Sequence, residues 1–201
     1  MRKAVFICIV ILFPFISNAR NSMPRLTFGA EWSYVATIYS GYHYNYFSPE
    51  GYRFNVYGSG IDFYNNGEVL LHVGYNIDRH WNIAAYAGMS GLADYHNSIP
   101  INLRFTRYFG NDFLADRWFS FIDLGTGLTM KIPVQSVLSA KIGGGYRVSL
   151  SRDTKLDLLV AVRNTYTQPQ VYHDKEVIGL EYTNRNDAYL LSLSFGASIT
   201  F

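Results

Sequence analysis

Apolar and polar residues alternate with a period of two along most of this chain. The clearest run is the last one, in which every second residue from Tyr189 to Phe201 is apolar or aromatic. The residues between them are small or polar, with Leu190 as the exception. Because successive side chains of a β-strand point to opposite faces, this run predicts a strand with one apolar and one polar face.

Seven further runs show the same alternation, at residues 26–38, 69–77, 81–92, 99–109, 118–130, 138–150 and 156–162. Most of them have about ten residues or more, which is the length that a tilted strand needs to cross a bilayer. After the first twenty or so residues, no apolar stretch is long enough for a membrane helix. The pattern therefore predicts an all-β protein, an eight-stranded antiparallel up-and-down transmembrane β-barrel.

The connectors between these runs differ in length on the two sides of the predicted barrel. On one side lie the connectors 78–80, 110–117 and 151–154. On the other side lie two long segments, near residues 39–66 and 168–185, and two short connectors, 93–98 and 131–134. Outer-membrane barrels have short periplasmic turns and longer extracellular loops. An even number of strands also places both termini on one side, so we expect periplasmic termini and extracellular long loops.

The first long connector is unusually aromatic, and Asn65-Asn66-Gly67 at its end is typical of a hairpin turn. We favour a ribbon in which the first two strands continue beyond the membrane. The alternative is that residues 53–64 cross the bilayer as a ninth strand. Tyrosine offers a rigid, amphipathic contact surface. The tyrosines of this stretch are therefore candidates for surface binding: Tyr42, Tyr44, Tyr46, Tyr57 and Tyr64.

The first residues have the pattern of an export signal. Arg2 and Lys3 precede an apolar run over residues 4–16, and Ser17-Asn18-Ala19 supplies the small residues of a cleavage site. We therefore expect a signal peptide over residues 1–19 and a barrel over residues 20–201. The single cysteine, Cys8, lies in the leader, so the exported chain is expected to have neither a disulfide nor a thiolate-bound metal.

The composition favours a membrane barrel and excludes several other functions. Aromatic residues make up 17% of the chain and charged residues 16%, and the formal net charge is +2. So small a charge gives no basis for nucleic-acid binding. No phosphate-binding loop, zinc-protease motif or nucleophile elbow is present, so no cofactor is expected.

Charged residues recur on the polar faces of the predicted strands, which in a barrel line the lumen. They are Glu31, Arg104, Asp123, Lys141, Arg147, Asp157 and Arg163. An eight-stranded barrel is filled by its own side chains or holds one small ligand. We favour a buried salt-bridge network that plugs the lumen, and the alternative is a small pore or ligand cavity.

The chain ends on Ser194-x-Gly196-x-x-Ile199-x-Phe201, which resembles the terminal insertion signal of bacterial outer-membrane β-barrels. With the leader and the eight runs, the sequence resembles small outer-membrane barrels of the OmpA and OmpX type. Its aromatic-rich turn segments also resemble uncharacterised outer-membrane proteins of Bacteroides-type bacteria. The resemblance implies a Gram-negative outer-membrane protein that contacts membrane lipid and is inserted by the barrel assembly machinery. A soluble periplasmic β-sandwich is the competing architecture, because it shows the same periodicity.

One short motif raises the question of catalysis. His96 and Ser98 are spaced as in the lipid A deacylases of the outer membrane, which they resemble, and in which a histidine activates a serine. In that family the motif continues with Asn and Gly, whereas Ile99 and Pro100 follow here. We therefore expect a polar outer loop and no enzyme. The predicted role is structural or surface-interacting, and the alternative is a small-molecule channel or a lipid-modifying enzyme.

Overall fold

A computed structural model describes residues 23–92, 97–130, 134–174 and 176–201, so the predicted signal peptide lies outside the described residues. The described strands are β1 (Leu26–Phe47), β2 (Arg53–Gly60), β3 (Tyr64–Asn76), β4 (Trp81–Gly91), β5 (Asn97–Tyr108), β6 (Arg117–Thr129), β7 (Ser136–Ser149), β8 (Lys155–Thr167), β9 (Tyr172–His173), β10 (Glu176–Val177) and β11 (Thr183–Thr200). The 3-10 turn Leu180–Tyr182 precedes β11.

Eight long strands form a closed antiparallel barrel. Its order is β11-β8-β7-β6-β5-β4-β3-β1, and pairing of β1 with β11 closes the ring. The predicted fold class, an eight-stranded antiparallel up-and-down barrel, is therefore confirmed. Closure leaves the barrel wall without an open sheet edge.

The two faces of the wall are inverted relative to a soluble protein. On β3, Val69, Leu71 and Val73 point outward and are 53–66% exposed, whereas Leu70 and His72 between them are buried. The other barrel strands repeat this arrangement, so an apolar belt surrounds an interior in which polar and charged side chains lie beside a smaller number of apolar and aromatic ones. A β-sandwich would bury its apolar set as a core, so the alternative architecture of a periplasmic sandwich is wrong.

Glycines allow strands to approach closely where β7 passes its neighbours. A Cβ atom on Gly143 would lie 2.6 Å from the Cβ of Ala161, and one on Gly145 would lie 2.1 Å from the carbonyl oxygen of Leu158. A side chain at either position would displace the adjacent strand. The glycine run therefore relieves crowding in a narrow barrel.

The end of the barrel that holds Arg25 and Phe201 is called here the terminal end. It carries the turns between β3 and β4, β5 and β6, and β7 and β8. Phe201 exchanges two backbone hydrogen bonds with Phe28, at 2.8 and 3.1 Å, and the two rings stack with centroids 5.7 Å apart. The last residue of the chain thus takes part in closing the barrel.

At the opposite end, β1 and β11 continue beyond the other strands and form, with β2, a three-stranded sheet called here the extension. Residues 53–60 of β2 pair only with residues 40–47 of β1, whose other edge pairs with the first half of β11. The alternative that residues 53–64 cross the bilayer as a ninth strand is therefore wrong, since the described barrel has no ninth strand. Residues 53–60 form the outer strand of a ribbon instead.

The extension also explains why the sequence periodicity stops early in β1. A register shift lies between Thr37 and Tyr39, so a β-bulge exchanges the two faces of the strand. Much of the segment that the sequence predicts as a loop near residues 39–66 is therefore regular β-structure. The segment near 168–185 contains the small β9–β10 hairpin and the 3-10 turn.

Candidate functional site

The middle of the lumen holds six charged side chains, each at most 4% exposed and together called here the central ion cluster: Glu31, Glu68, Arg104, Asp123, Lys141 and Arg163. Arg104 holds two carboxylates at once. Its Nε and Nη2 donate to the two oxygens of Asp123 at 2.6 and 2.8 Å. Its Nη1 and Nη2 donate to Glu31 at 2.6 and 3.1 Å. Such bidentate pairs fix the geometry of the side chains as well as their charge.

Glu68 connects two cations on the far side of the barrel. Lys141 Nζ lies 2.5 Å from Oε1 of Glu68, and Arg163 Nη1 lies 3.0 Å from Oε2. Lys141 Nζ also lies 3.9 Å from Oε1 of Glu31. In the ring of strands, β3 and β7 are four strands apart in either direction, so the Glu68–Lys141 contact crosses the full width of the lumen.

Strand register builds one side of the central ion cluster. Arg104, Asp123, Lys141 and Arg163 are directly opposite one another on the neighbouring strands β5 to β8. Glu31 and Glu68 complete the cluster from β1 and β3. With three carboxylates and three cations, the charges within the cluster balance.

Aromatic rings and a second ion pair fill the lumen on the terminal side. The guanidinium carbon of Arg104 lies 4.1 Å from the ring centre of Tyr86 and 4.3 Å from that of Phe121. Nearer the terminal end, Arg147 donates twice to Asp157, at 2.6 Å each. Arg147 also lies 4.3 Å from the ring centre of Tyr108.

All seven charged residues that the sequence assigns to the lumen are buried there: Glu31, Arg104, Asp123, Lys141, Arg147, Asp157 and Arg163. Five of them share the central ion cluster, whereas Arg147 and Asp157 form a separate pair. Glu68 was not predicted from the sequence, because it lies between the connector near residues 39–66 and the alternating run 69–77. Glu68 is two residues before Leu70 and therefore lies on the same inward face of β3. Extending the alternation of run 69–77 by one residue would have predicted its position in the lumen.

A small interior space lies between the central ion cluster and the terminal end. It has a volume of about 20 Å³ and is lined by polar side chains that include His72, Asn82 and Thr106. His72 Nε2 lies 3.4 Å from the Thr200 hydroxyl, and its Nδ1 has no hydrogen-bond partner among the described residues. A space of this size accommodates about one water molecule.

The candidate tyrosines of the extension differ in exposure. Tyr57 is 77% exposed, and Tyr42 is 40% exposed and stacks on Tyr44 with ring centres 5.0 Å apart. Tyr64 begins β3 and pairs with Thr37. These four positions lie on or near the surface of the extension.

Tyr46 lies in a different environment from the other candidate tyrosines. It is only 5% exposed and packs with Val171 and Ile178, while its ring stacks on Phe54 at 5.5 Å. Its hydroxyl lies 3.1 Å from Nδ1 of His173. Tyr46 is therefore a core residue of the extension, and its assignment to surface binding is wrong. The sequence could not show this because the residues that cover Tyr46 are more than a hundred positions away.

On the outer wall of the extension, three side chains of β8 and β11 form a polar group. The hydroxyl of Tyr166 donates to Asp187, and Arg185 Nε pairs with the other carboxylate oxygen. These hydrogen bonds, above all the one from Tyr166, hold the pKa of Asp187 below its usual value. Asp187 is therefore ionised at neutral pH and keeps its pairing with Arg185.

The structure gives no support for catalysis at the His-x-Ser motif. His96 lies outside the described residues. Ser98 belongs to β5 rather than to a loop, is buried, and donates its hydroxyl to the carbonyl oxygen of Ser90 at 3.2 Å. Among the described residues, no three His, Cys, Asp or Glu side chains are grouped as a metal site.

The residues of the predicted insertion signal alternate across the wall of β11. Ser194 is buried on the lumen side, whereas Phe201 at the end of the chain is 42% exposed. A Cβ atom on Gly196 would lie 2.3 Å from the Ser33 hydroxyl, so the glycine lets β1 and β11 approach. Ile199 pairs with Ala30 on β1 and Leu156 on β8.

No protein-family model matches the sequence, and no curated protein matches it. No helix in the described part of the chain is long and apolar enough to span a membrane.

Solved structures do match. The outer membrane protein OprG of Pseudomonas aeruginosa is 12% identical, with 88% of this chain and 95% of that chain covered and a TM-score of 0.52. The N-terminal β-barrel domain of Pseudomonas aeruginosa OprF is 13% identical, with 86% and 99% covered and a TM-score of 0.42. Neisserial surface protein A is 13% identical, with 86% and 99% covered and a TM-score of 0.41. The similarity to OprG confirms that this chain has the fold of the small outer-membrane β-barrels.

Proposed function

We propose that this protein is an integral outer-membrane β-barrel with a structural or surface-interaction role, and that its lumen is closed by charged side chains. The observation that carries the proposal is the apolar belt around a closed barrel with a charged interior. Soluble monomers rarely expose apolar patches of more than a few hundred Å². A lipid environment removes this penalty, and a closed barrel satisfies every backbone hydrogen bond within the wall.

The central ion cluster supports a plug rather than a channel. Its contacts reach from β3 to β7 and from β1 to β5, so they cross the lumen instead of lining an open path. Each carboxylate of the cluster has a cation within 3.0 Å. A permeating ion would have to displace these buried pairs, which are costly to break.

The unequal ends of the barrel support a proposed orientation in the membrane. Outer-membrane barrels have short periplasmic turns and longer extracellular segments. The terminal end carries short turns, and the opposite end carries the extension with its exposed Tyr57 and Tyr42. The terminal end is therefore periplasmic, and the extension projects from the cell and makes the contacts through which the protein acts. Outer-membrane lipid and the barrel assembly machinery are its other partners.

The proposal is tested with an epitope tag inserted in the turn between Ser48 and Gly51, which lies at the tip of the extension. The tagged protein should fractionate with the outer membrane and show heat-modifiable gel mobility. Antibody should label the tag on intact cells, whereas a tag in the turn 151–154 should be labelled only after the outer membrane is permeabilised. Recovery in the soluble periplasmic fraction would contradict the proposal, and the opposite labelling pattern would contradict the orientation.

The role of the extension is tested separately in a strain that lacks the protein. A variant in which residues 41–60 are replaced by a short Gly-Ser linker keeps the barrel portions of all eight strands. It should insert but fail to correct the envelope or adhesion defect that the deletion causes. A matched control replaces only Ser48–Gly51 at the tip and should restore wild-type behaviour.

A further inference from the structure

A groove on the outer wall of the extension includes Tyr57, one of the exposed residues of the contact surface proposed above. It has a volume of about 710 Å³ and is open to the outside. Its sides carry Tyr39, Tyr57, Tyr166 and Tyr189, and its polar lining includes His43, Arg185 and Asp187. We call this feature the outer groove.

Strand register explains how the outer groove forms. Gly41 on β1 pairs with Ser59 on β2 and with Tyr189 on β11, and Tyr189 pairs in turn with Tyr166 on β8. Ser59, Tyr189 and Tyr166 each have a side chain, whereas Gly41 has none. Because Gly41 has no side chain and a Cβ atom there would meet nothing nearer than 3.7 Å, this row has a gap between Ser59 and Tyr189.

The next row supplies polar groups beside this gap. Tyr57, His43 and Asp187 are opposite one another on β2, β1 and β11. Asp187 accepts hydrogen bonds from Tyr166 and Arg185, and the Arg185 side chain is 54% exposed. The outer groove thus combines exposed aromatic rings with a carboxylate–guanidinium pair. Rings pack against the C–H face of a sugar, and charged planar groups form strong, directional hydrogen bonds with hydroxyl groups.

The position of the outer groove restricts the kind of ligand that can reach it. The outward residues of β8 change from Leu158, Val160 and Val162 to Asn164 and Tyr166 along the strand. The groove therefore begins where the apolar belt ends. Aromatic residues with a polar tip favour this boundary, where lipid headgroups lie.

We propose that the outer groove binds the saccharide headgroup of a glycolipid in the surrounding membrane leaflet. The lipid chains would lie against the apolar belt below, while sugar rings would pack on Tyr57 and Tyr189 and bond to Asp187 and Arg185. This proposal rests on the membrane placement proposed above, because only that placement brings a lipid headgroup to this level of the wall. It adds a ligand class and a site to that function.

The test uses the full chain in detergent micelles, titrated calorimetrically with a short-core lipopolysaccharide. Wild type should bind it saturably, and Tyr57→Ala should weaken binding about tenfold, because truncating an exposed aromatic contact removes packing area. Gly41→Trp should abolish binding by filling the gap. The control is Gly67→Trp, since a Cβ atom on Gly67 would meet nothing within 4 Å and this residue lies on β3, outside the groove.

Two further titrations identify the occupant. The core saccharide released from its lipid should bind far more weakly than the intact glycolipid, and phosphatidylethanolamine should not bind saturably. Equal binding of the free saccharide would overturn the assignment to a membrane glycolipid. Equal binding by wild type and Tyr57→Ala would overturn the site, even if Gly41→Trp fails to fold.

Failure of this inference is distinguishable from failure of the proposed function. A wild-type protein that inserts into the outer membrane, exposes its tag at Ser48–Gly51 and yet binds no glycolipid overturns the inference alone. A protein that is recovered as a soluble periplasmic molecule overturns both.

Discussion

Glu68 and Lys141 meet across the barrel, with Oε1 and Nζ 2.5 Å apart, although they stand on opposite walls and 73 residues apart in sequence. Each side chain is at most 3% exposed. The contact joins strands that share no backbone hydrogen bond. It therefore fixes the cross-section of the barrel as well as filling it.

Replacement of Glu68 by glutamine should destabilise the barrel substantially. The change leaves Lys141 and Arg163 buried without their shared carboxylate, and removing one partner of a buried pair costs about 3–5 kcal/mol. The urea midpoint of unfolding, followed by heat-modifiable gel mobility, measures this effect. Glu181→Gln is the matched control, because Glu181 lies in the exposed 3-10 turn and should change the midpoint little. Equal midpoints for the two variants would contradict a stabilising role for the central ion cluster.

The Arg147–Asp157 pair should show strong coupling in a double-mutant cycle. Arg147→Met alone leaves the Asp157 carboxylate buried and should cost several kcal/mol, on the order of 3. The double variant with Asp157→Leu removes both charges and should be more stable than either single variant. Additive losses in the urea midpoint would show that the two side chains act independently.

Tyr46 should stabilise the extension without affecting the barrel. Tyr46→Ala leaves a cavity beside Val171 and Ile178, and such truncations cost about 3–5 kcal/mol in a packed core. Limited proteolysis of the inserted protein should therefore cleave the extension faster, while the barrel keeps its heat-modifiable mobility. Tyr57→Ala, at an exposed position of the same sheet, should leave the cleavage rate unchanged. Loss of barrel mobility in Tyr46→Ala would show that the extension and the barrel fold as one unit.

Deletion of Phe201 should slow insertion. The deletion removes two backbone hydrogen bonds and a ring stack with Phe28 at the seam between β1 and β11. The last strand is also where we expect the assembly machinery to dock. Pulse-chase analysis should show delayed appearance of the heat-modifiable form and periplasmic degradation products. Phe109→Ala, which removes an exposed ring outside the seam, serves as the control, and equal rates for both would contradict the role of Phe201.

Local periodicity was sufficient to predict the eight barrel strands. Alternation of residues such as Val69, Leu70 and Leu71 depends only on the side-chain geometry of a strand, so eight runs and their two faces could be derived without knowledge of tertiary contacts. The burial of Arg104 and Asp123 followed from the same phase. Periodicity did not show that the apolar face points outward to lipid. That prediction depended on the leader, the terminal motif and the unequal connectors.

The sequence favours a ribbon beyond the membrane, but the buried core of the extension and the outer groove could not be derived from periodicity. The bulge between Thr37 and Tyr39 exchanges the faces of β1, so the phase of residues 26–38 predicts the wrong side for Tyr46. The covering residues Val171 and Ile178 come from a distant segment. The row that contains Gly41 and Tyr189 depends on which strands pair, and single-strand periodicity does not contain that information.

Planar-bilayer conductance of the purified wild-type protein tests most directly the claim that the lumen is closed and that the protein acts through its surface. The central ion cluster predicts no steady conductance, even at high salt, because its pairs are buried and cross the lumen. A variant with Glu31→Ala, Glu68→Ala and Lys141→Ala removes three cross-lumen side chains and should conduct if it inserts. Large, steady openings of the wild-type protein would contradict the closed lumen and favour a channel.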